Sequence, residues 1–166
     1  MIARPALRIK QATQEDVPLI LTFIRELALH ERALERVSAT EEALLVTLFG
    51  PRPYAEAIIA YENEEPVAFA LYFFSYTSFS ALPGLYLEDI FVRPATRGLG
   101  VGRQLFTFLA QRAIELNCAR MEWSVLNWNE PAIRFYEKLT AEPVHDWTVF
   151  HLSKEKMAQL ANQAVP

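Results

Sequence analysis

The stretch "RPATRGLGVGRQLF", Arg93 to Phe106, constrains this chain more than any other. Only 5 glycines occur in the sequence, and Gly98, Gly100 and Gly102 fall here on alternate positions. The residues just before, "LYLEDIFV" (Leu85 to Val92), read as a strand that is apolar except for the adjacent carboxylates Glu88 and Asp89. The residues just after place Val101, Leu105, Phe108, Leu109 and Ala113 at helical spacing, predicting a helix over about Gly100 to Leu116. A strand that turns through glycines into a helix exposes the helix's unpaired amides with no Cβ in front of them. Those amides carry partial positive charge, and Arg97 adds a mobile full charge beside them. The arrangement suits a phosphate or diphosphate. The plainer reading is a tight turn with no ligand.

Two common phosphate loops do not fit. No Lys-Ser/Thr pair follows the glycines, so the pattern is not a Walker loop. In G-x-G-x-x-G counted from Gly98, the third glycine falls on Arg103, and the run lies past the middle of the chain. What does fit is R-x-x-G-x-G, read as Arg97, Gly100 and Gly102.

The remaining sequence divides into a strand at Leu7 to Thr13 and a helix running to about Arg32. The helix is opened by a capping box of Thr13 and Asp16. A second helix spans Thr40 to Gly50, and two strands follow with a turn at Asn63 to Pro66. After the glycine helix come a strand in "ARMEWSVL", a helix in "NEPAIRFYEKL" capped by Asn129, a strand in "WTVFHLS" and a closing helix in "KEKMAQLA". The four aromatics Phe73, Phe74, Tyr76 and Phe79 are expected in the core. This order predicts an α/β fold: one domain over residues 1–166, with a mixed, mostly antiparallel central sheet flanked by helices.

Composition removes several functions. At 52% hydrophobic and 22% charged residues the chain reads as globular, and no apolar run approaches the roughly 20 residues of a membrane span. The opening "MIARPALRIK" lacks the apolar core of a signal peptide, so export is not expected and a cytoplasmic place is. A net charge of −4 argues against nucleic acid as partner. One cysteine, Cys118, expected as a small buried residue, and 3 scattered histidines argue against a metal site.

The R-x-x-G-x-G loop and the element order resemble the GCN5-related N-acetyltransferases (GNAT), whose loop holds the diphosphate of acetyl-CoA. "FALYFFSYTSF", "LYLEDIFV", "RGLGVG", "WNEPAIRFYEKL" and "TEEALL" narrow the likeness to the spermidine/spermine (diamine) acetyltransferase subgroup, over about Arg8 to Leu160. Three departures concern the substrate rather than the cofactor. Thr140 stands where many members have glycine, His30 where the polyamine enzymes have a tyrosine, and the loop from Tyr136 to Trp147 is a few residues short.

The resemblance implies acetyl transfer from acetyl-CoA, with CoA as product, to a small cationic amine such as a polyamine, a diamine or thialysine. It also implies a homodimer. Acyl transfer needs a deprotonated amine, a donor for the thioester oxygen and a proton for the leaving thiolate. The implied base is Glu88, directly or through water; its plain alternative is a solvated edge carboxylate. The implied acid is Tyr136, whose alternative is a packed core ring. For the cofactor, the implied contacts are the backbone of Ile90, Phe91 and Val92, the loop Arg97, Gly98, Leu99, Gly100, Val101, Gly102 and Arg103, and the helix start Asn129, Glu130, Pro131, Ala132 with Tyr136. For the amine they are His30, Glu31, Glu88, Asp89 and Asp146. Neighbours on a strand face opposite ways, so Glu88 and Asp89 share a cleft only if a bulge breaks the alternation, and the resembled fold has a bulge on this strand. Two other functions are weighed: acetylation of a protein or peptide amino group, and a non-catalytic acyl-CoA-binding domain.

Overall fold

The structure, a computed structural model, describes residues 7–163. The first six residues of "MIARPALRIK" therefore lie outside the described residues. The described chain groups into two compact units that part between Leu126 and Asn127.

The first unit is a five-stranded sheet in the order β1 (Leu7–Gln11), β2 (Glu56–Glu62), β3 (Glu65–Thr77), β4 (Leu82–Val92), β5 (Met121–Trp123). The first four strands pair antiparallel and β5 runs parallel to β4, the mixed α/β sheet that the alternating elements predict. The turn between β2 and β3 is two residues, Asn63 and Glu64, both at positive φ (48° and 68°). That is the geometry of a tight hairpin whose twist matches its strands.

Helices α1 (Val17–His30) and α2 (Glu41–Phe49) cover one face. Thr13 and Asp16 form the predicted box, the Thr13 amide donating to Asp16 Oδ2 at 2.8 Å, but it opens a single 3-10 turn before α1. Lys10 pairs with the same carboxylate at 3.0 Å. Val17, Ile20, Leu21 and Phe23 then bury against Ala57, Ile59, Phe69 and Phe91 of the sheet. Phe23 and Phe69 stack at 5.2 Å. Each such buried side chain contributes about 2 kcal/mol.

Helix α3 (Val101–Glu115) covers the other face with Leu105 and Leu109, both fully buried. There the Tyr72 hydroxyl donates to Glu56 at 2.8 Å, and Arg112 of α3 approaches the same carboxylate at 4.0 Å. Burial and that carboxylate push the Tyr72 phenol up to about 12. Phe74, Tyr76 and Phe79 depart from the expected core: the β3–β4 hairpin carries them to its outer end, where all three are exposed. Cys118 is half-buried rather than buried.

The second unit contains α4 (Glu130–Glu137) and α5 (Lys154–Ala161), capped by Asn129 and Ser153. The predicted strand over Trp147 to Ser153 is not formed. Its apolar residues Trp147, Val149 and Phe150 are exposed, and no ladder partner lies beside them among the described residues. Alternation supplies β-propensity, but a strand exists only where a neighbour takes its backbone hydrogen bonds. The strand predicted in "ARMEWSVL" is confined to Met121–Trp123, paired with Leu85 to Leu87 of β4.

Three helices end in a residue at positive φ: Arg32 after α1, Asn117 after α3 and Thr140 after α4. Thr140 sits at φ 64°, and the Ala141 amide closes the helix end onto the Tyr136 carbonyl at 3.1 Å. A β-branched residue is strained in this region, whereas glycine is not. Thr140→Gly is therefore expected to stabilise the protein by about 1 kcal/mol, read as a higher urea midpoint with unchanged slope. A lower midpoint would show that the threonine side chain stabilises the helix end by more than its backbone strain costs.

Candidate active site

The register of β3 against β4 slips at one place: Leu71 pairs with Asp89, and Tyr72 pairs with Leu87. Glu88 is the extra residue of a β-bulge. The bulge changes the facing of everything beyond it. Leu87 lies opposite Tyr72, on the α3 side, whereas Asp89 lies opposite Leu71 and two residues before Phe91, on the α1 side. Glu88 itself is exposed, and Asp89 is half-buried.

Beyond the bulge β4 also has an open edge. On its outer side β4 pairs with β5 only through Leu85, Tyr86 and Leu87. From Glu88 to Val92 that edge has no strand beside it among the described residues. The Arg93 amide donates inward to Val67 at 2.9 Å. Reading the alternation back from there turns the backbone groups of Ile90 and Val92 outward, and those of Phe91 toward β3. Of the three predicted backbone contacts, Ile90 and Val92 lie on the open edge. Phe91 departs from the expectation: its main chain is in the ladder and its ring is in the core, 6.3 Å from the His30 ring.

Beyond Val92 the chain makes a single 3-10 turn, Pro94–Thr96, and enters the glycine loop. Gly98 has φ 77° and Gly100 φ 87°, both in the region that favours glycine. A Cβ at Gly98 would meet nothing within 4 Å, so the space before the loop is open. Gly100 is the N-cap of α3, and no side chain caps the amides of the first turn. Leu99 and Arg103 are exposed, Gly102 is half-buried and Val101 is buried. Arg97, expected as a mobile charge, is folded back: its Nε donates to the Val92 carbonyl at 2.8 Å, and its guanidinium lies 5.5 Å from the Phe91 ring.

At the other end of the edge, two carboxylates act on a third. The charges of Glu88 and Glu31 act on Asp89, and together with its burial, the largest cause, they push the Asp89 carboxyl up to about 6. Glu31 follows the last residue of α1, and His30 is exposed beside it. Carboxylates that oppose one another's ionisation favour a cation beside them. Of the residues expected at the amine, Glu31 and Glu88 act on Asp89, and His30 lies by Phe91, two residues further along β4.

In the second unit Asn129 accepts a hydrogen bond from the Ala132 amide at 3.3 Å, and Pro131 stands in the first turn of α4. Tyr136 lies half-buried on that helix with its ring 5.6 Å from Phe135, edge to face. Asp146 is exposed in a segment without regular structure. Among the described residues no group of three metal-ligating side chains occurs. Arg93 and Glu26, an ion pair at the loop entrance, carry no motif and are not foreseen from sequence.

Comparison with known proteins points the same way. The Acetyltransferase (GNAT) family profile matches residues 22–140. The chain is 33% identical to thialysine N-epsilon-acetyltransferase of Bos taurus, over 93% of this chain and 97% of that protein. It is 34% identical to the human spermidine/spermine N(1)-acetyltransferase-like protein 1, over 93% of this chain and 24% of that longer protein. Among solved structures, an integron cassette protein of V. cholerae superposes with a TM-score of 0.80 at 24% identity, covering 95% of this chain and 98% of its own.

The Asp89 carboxyl titrates near 3.8 when unperturbed and near 6 in the fold. The native state therefore holds a proton over a window in which the unfolded chain does not. Its contribution to stability is fully present below the unfolded value and is lost as pH rises through the folded one. Asp89→Asn removes this loss. The melting temperature of the variant relative to wild type is expected to climb between pH 4.5 and 7 and level off above. Parallel melting curves across that range would refute the shift.

Proposed function

The chain belongs to the GNAT acetyltransferase family and is an N-acetyltransferase, and we propose that it uses acetyl-CoA to acetylate the primary amine of a small cationic substrate of the thialysine, diamine or polyamine class. The observation that carries this reading is the open edge of β4, which leads from Asp89, under the charges of Glu88 and Glu31, through one turn to a glycine-lined helix N-terminus. The relatives' names supply the substrate class: one acts on thialysine, and the other is named for its likeness to spermidine/spermine acetyltransferases.

The residues fit such a donor. The α3 amides after Gly100 suit a diphosphate, the open space before Gly98 admits it, and the outward groups of Ile90 with the outward amide of Val92, whose carbonyl accepts from Arg97, suit the amides of an extended pantetheine arm, as a sheet edge takes a peptide. Acetyl-CoA supplies an acetyl group activated as a thioester. The protein's own residues do the rest. Glu31, Glu88 and Asp89 attract an amine that is charged at neutral pH. Glu88, exposed at the bulge, takes the amine's proton, directly or through water. An outward amide of the β4 edge donates to the carbonyl oxygen as charge builds on it. The family likeness assigns to Tyr136 the proton that the leaving sulfur of such a donor would need, and to Asn129 to Ala132 a share in holding it. A cytoplasmic place and a homodimeric state accompany this reading. Among the described residues no helix is long and apolar enough to cross a membrane, and light scattering at tens of micromolar tests the dimer.

Incubation with acetyl-CoA and a panel of amines, with products weighed by mass spectrometry, is the direct test; acetylated diamine or thialysine is expected. Acetyl-CoA is also expected to raise the melting temperature well beyond NAD or ATP, since a ligand at 100 times its dissociation constant stabilises by about 2.7 kcal/mol. An equal shift with NAD would overturn the donor assignment.

The two proposed proton movers separate by pH. Tyr136→Phe keeps the ring and is expected to lower kcat about a hundred-fold at every pH, with the acetyl-CoA thermal shift intact. Glu88→Gln is expected to lower kcat/KM for the amine, with a defect that shrinks at high pH as free amine accumulates. Full activity of Tyr136→Phe at neutral pH would return that tyrosine to packing alone.

A further inference from the structure

Arg93 stands at the joint between the open edge of β4 and the glycine loop, and its side chain turns away from both. All three guanidinium nitrogens are engaged. Nε donates to Glu26 Oε2 at 3.0 Å, one terminal nitrogen to Glu26 Oε1 at 2.8 Å, and the other to the Pro66 carbonyl at 2.6 Å. The group lies 4.8 Å from the ring centroid of Phe23, a fully buried residue of α1. The main chain is fixed as well. The Arg93 carbonyl accepts from the Thr96 amide at 3.0 Å and from its hydroxyl at 3.1 Å. A two-point, charge-assisted pair of this kind fixes orientation as well as distance.

What this pair fixes matters at both ends of the site. Glu26 and His30 are four residues apart, on one face of α1. Along that face Glu26 meets Arg93, His30 meets Phe91, and Glu31 acts on Asp89. The partners Arg93, Phe91 and Asp89 are alternate residues of one chain segment. Helix and strand therefore lie side by side with a defined register. At the acidic end the charges of Glu31 and Glu88 both oppose that of Asp89. Beside the apolar packing of α1 on the sheet, the ion pair that ties α1 to the end of β4 is at Arg93.

We infer that Arg93, through Glu26, is a positioning residue of the acetyl transfer: it holds the amine-facing end of α1 against a repulsive neighbour and anchors the start of the diphosphate loop. The inference rests on the proposed reaction for its kinetic readout. Disturbing the pair displaces two binding subsites at once while leaving every residue assigned to proton transfer in place.

The test uses Arg93→Lys, which keeps the charge but loses the fork, and Glu26→Gln, which keeps the shape but loses the charge. Arg8→Gln breaks the exposed Arg8–Glu64 pair of the edge strand β1 and serves as control. Both clamp variants are expected to raise KM for the amine and the calorimetric Kd for acetyl-CoA about ten-fold, with kcat changed much less. The double variant is expected to be no worse than the poorer single. Hydrogen exchange, which needs no ligand, is expected to quicken in residues 27–33 and 94–97 of the clamp variants and not in the control. Unchanged KM and Kd with only a lower melting temperature would reduce the pair to packing and overturn the inference. So would unchanged exchange, or failure of both variants to fold. A wild type that binds no acetyl-CoA would instead count against the proposed function, and the exchange comparison would still decide the clamp.

Discussion

One unpaired residue organises the first unit. With Glu88 left out of the β3–β4 ladder, Leu87 faces Tyr72 and Asp89 faces Leu71. A regular strand would place both carboxylates and both core residues differently. The bulge thereby sets the facing of Asp89 and the exposed position of Glu88 together, just where the pairing of β4 with β5 ends.

The acidic end is electrostatically unfavourable to the protein that carries it. Burial and the neighbouring Glu88 and Glu31 raise Asp89, and among the described residues no ion pair compensates that carboxyl as Lys10 compensates Asp16 or Arg93 compensates Glu26. The contrast within one sheet is informative. Asp16 and Glu26 have cations within 3.0 Å, whereas Asp89 has two carboxylates acting on it. Stability given up at a site in this way is a common mark of binding function.

The strand–glycine–helix core was legible because each of its signals is local: apolar alternation, glycines at positive φ, and helical spacing after them. Thr40, Asn129 and the Asn63–Glu64 turn were legible for the same reason. The place of the bulge was not readable from residues alone, since it is a property of two strands in register, and the family likeness had to supply its expectation. Phe74, Tyr76 and Phe79 misled because aromatic content says nothing of where a hairpin outruns its helices. Trp147 to Ser153 misled because propensity without a neighbour makes no strand. Arg93 and Glu26 were invisible because their partnership spans two elements.

The sheet's connections also fix an order of assembly. β2, β3 and β4 are joined by short turns, so their pairing closes small loops. β1 must instead return across two helices to meet β2, with Leu7 opposite Glu62. Closing the longer loop adds entropic cost before any contact rewards it. The hairpins thus form the natural nucleus, and β1 with α1 joins late. Reversed, the same ordering describes the least costly partial opening of the native state. In that state β1 and α1 lift away together, the end of β4 loses its neighbours His30 and Glu31, and the glycine loop loses the Arg93–Glu26 anchor at its start.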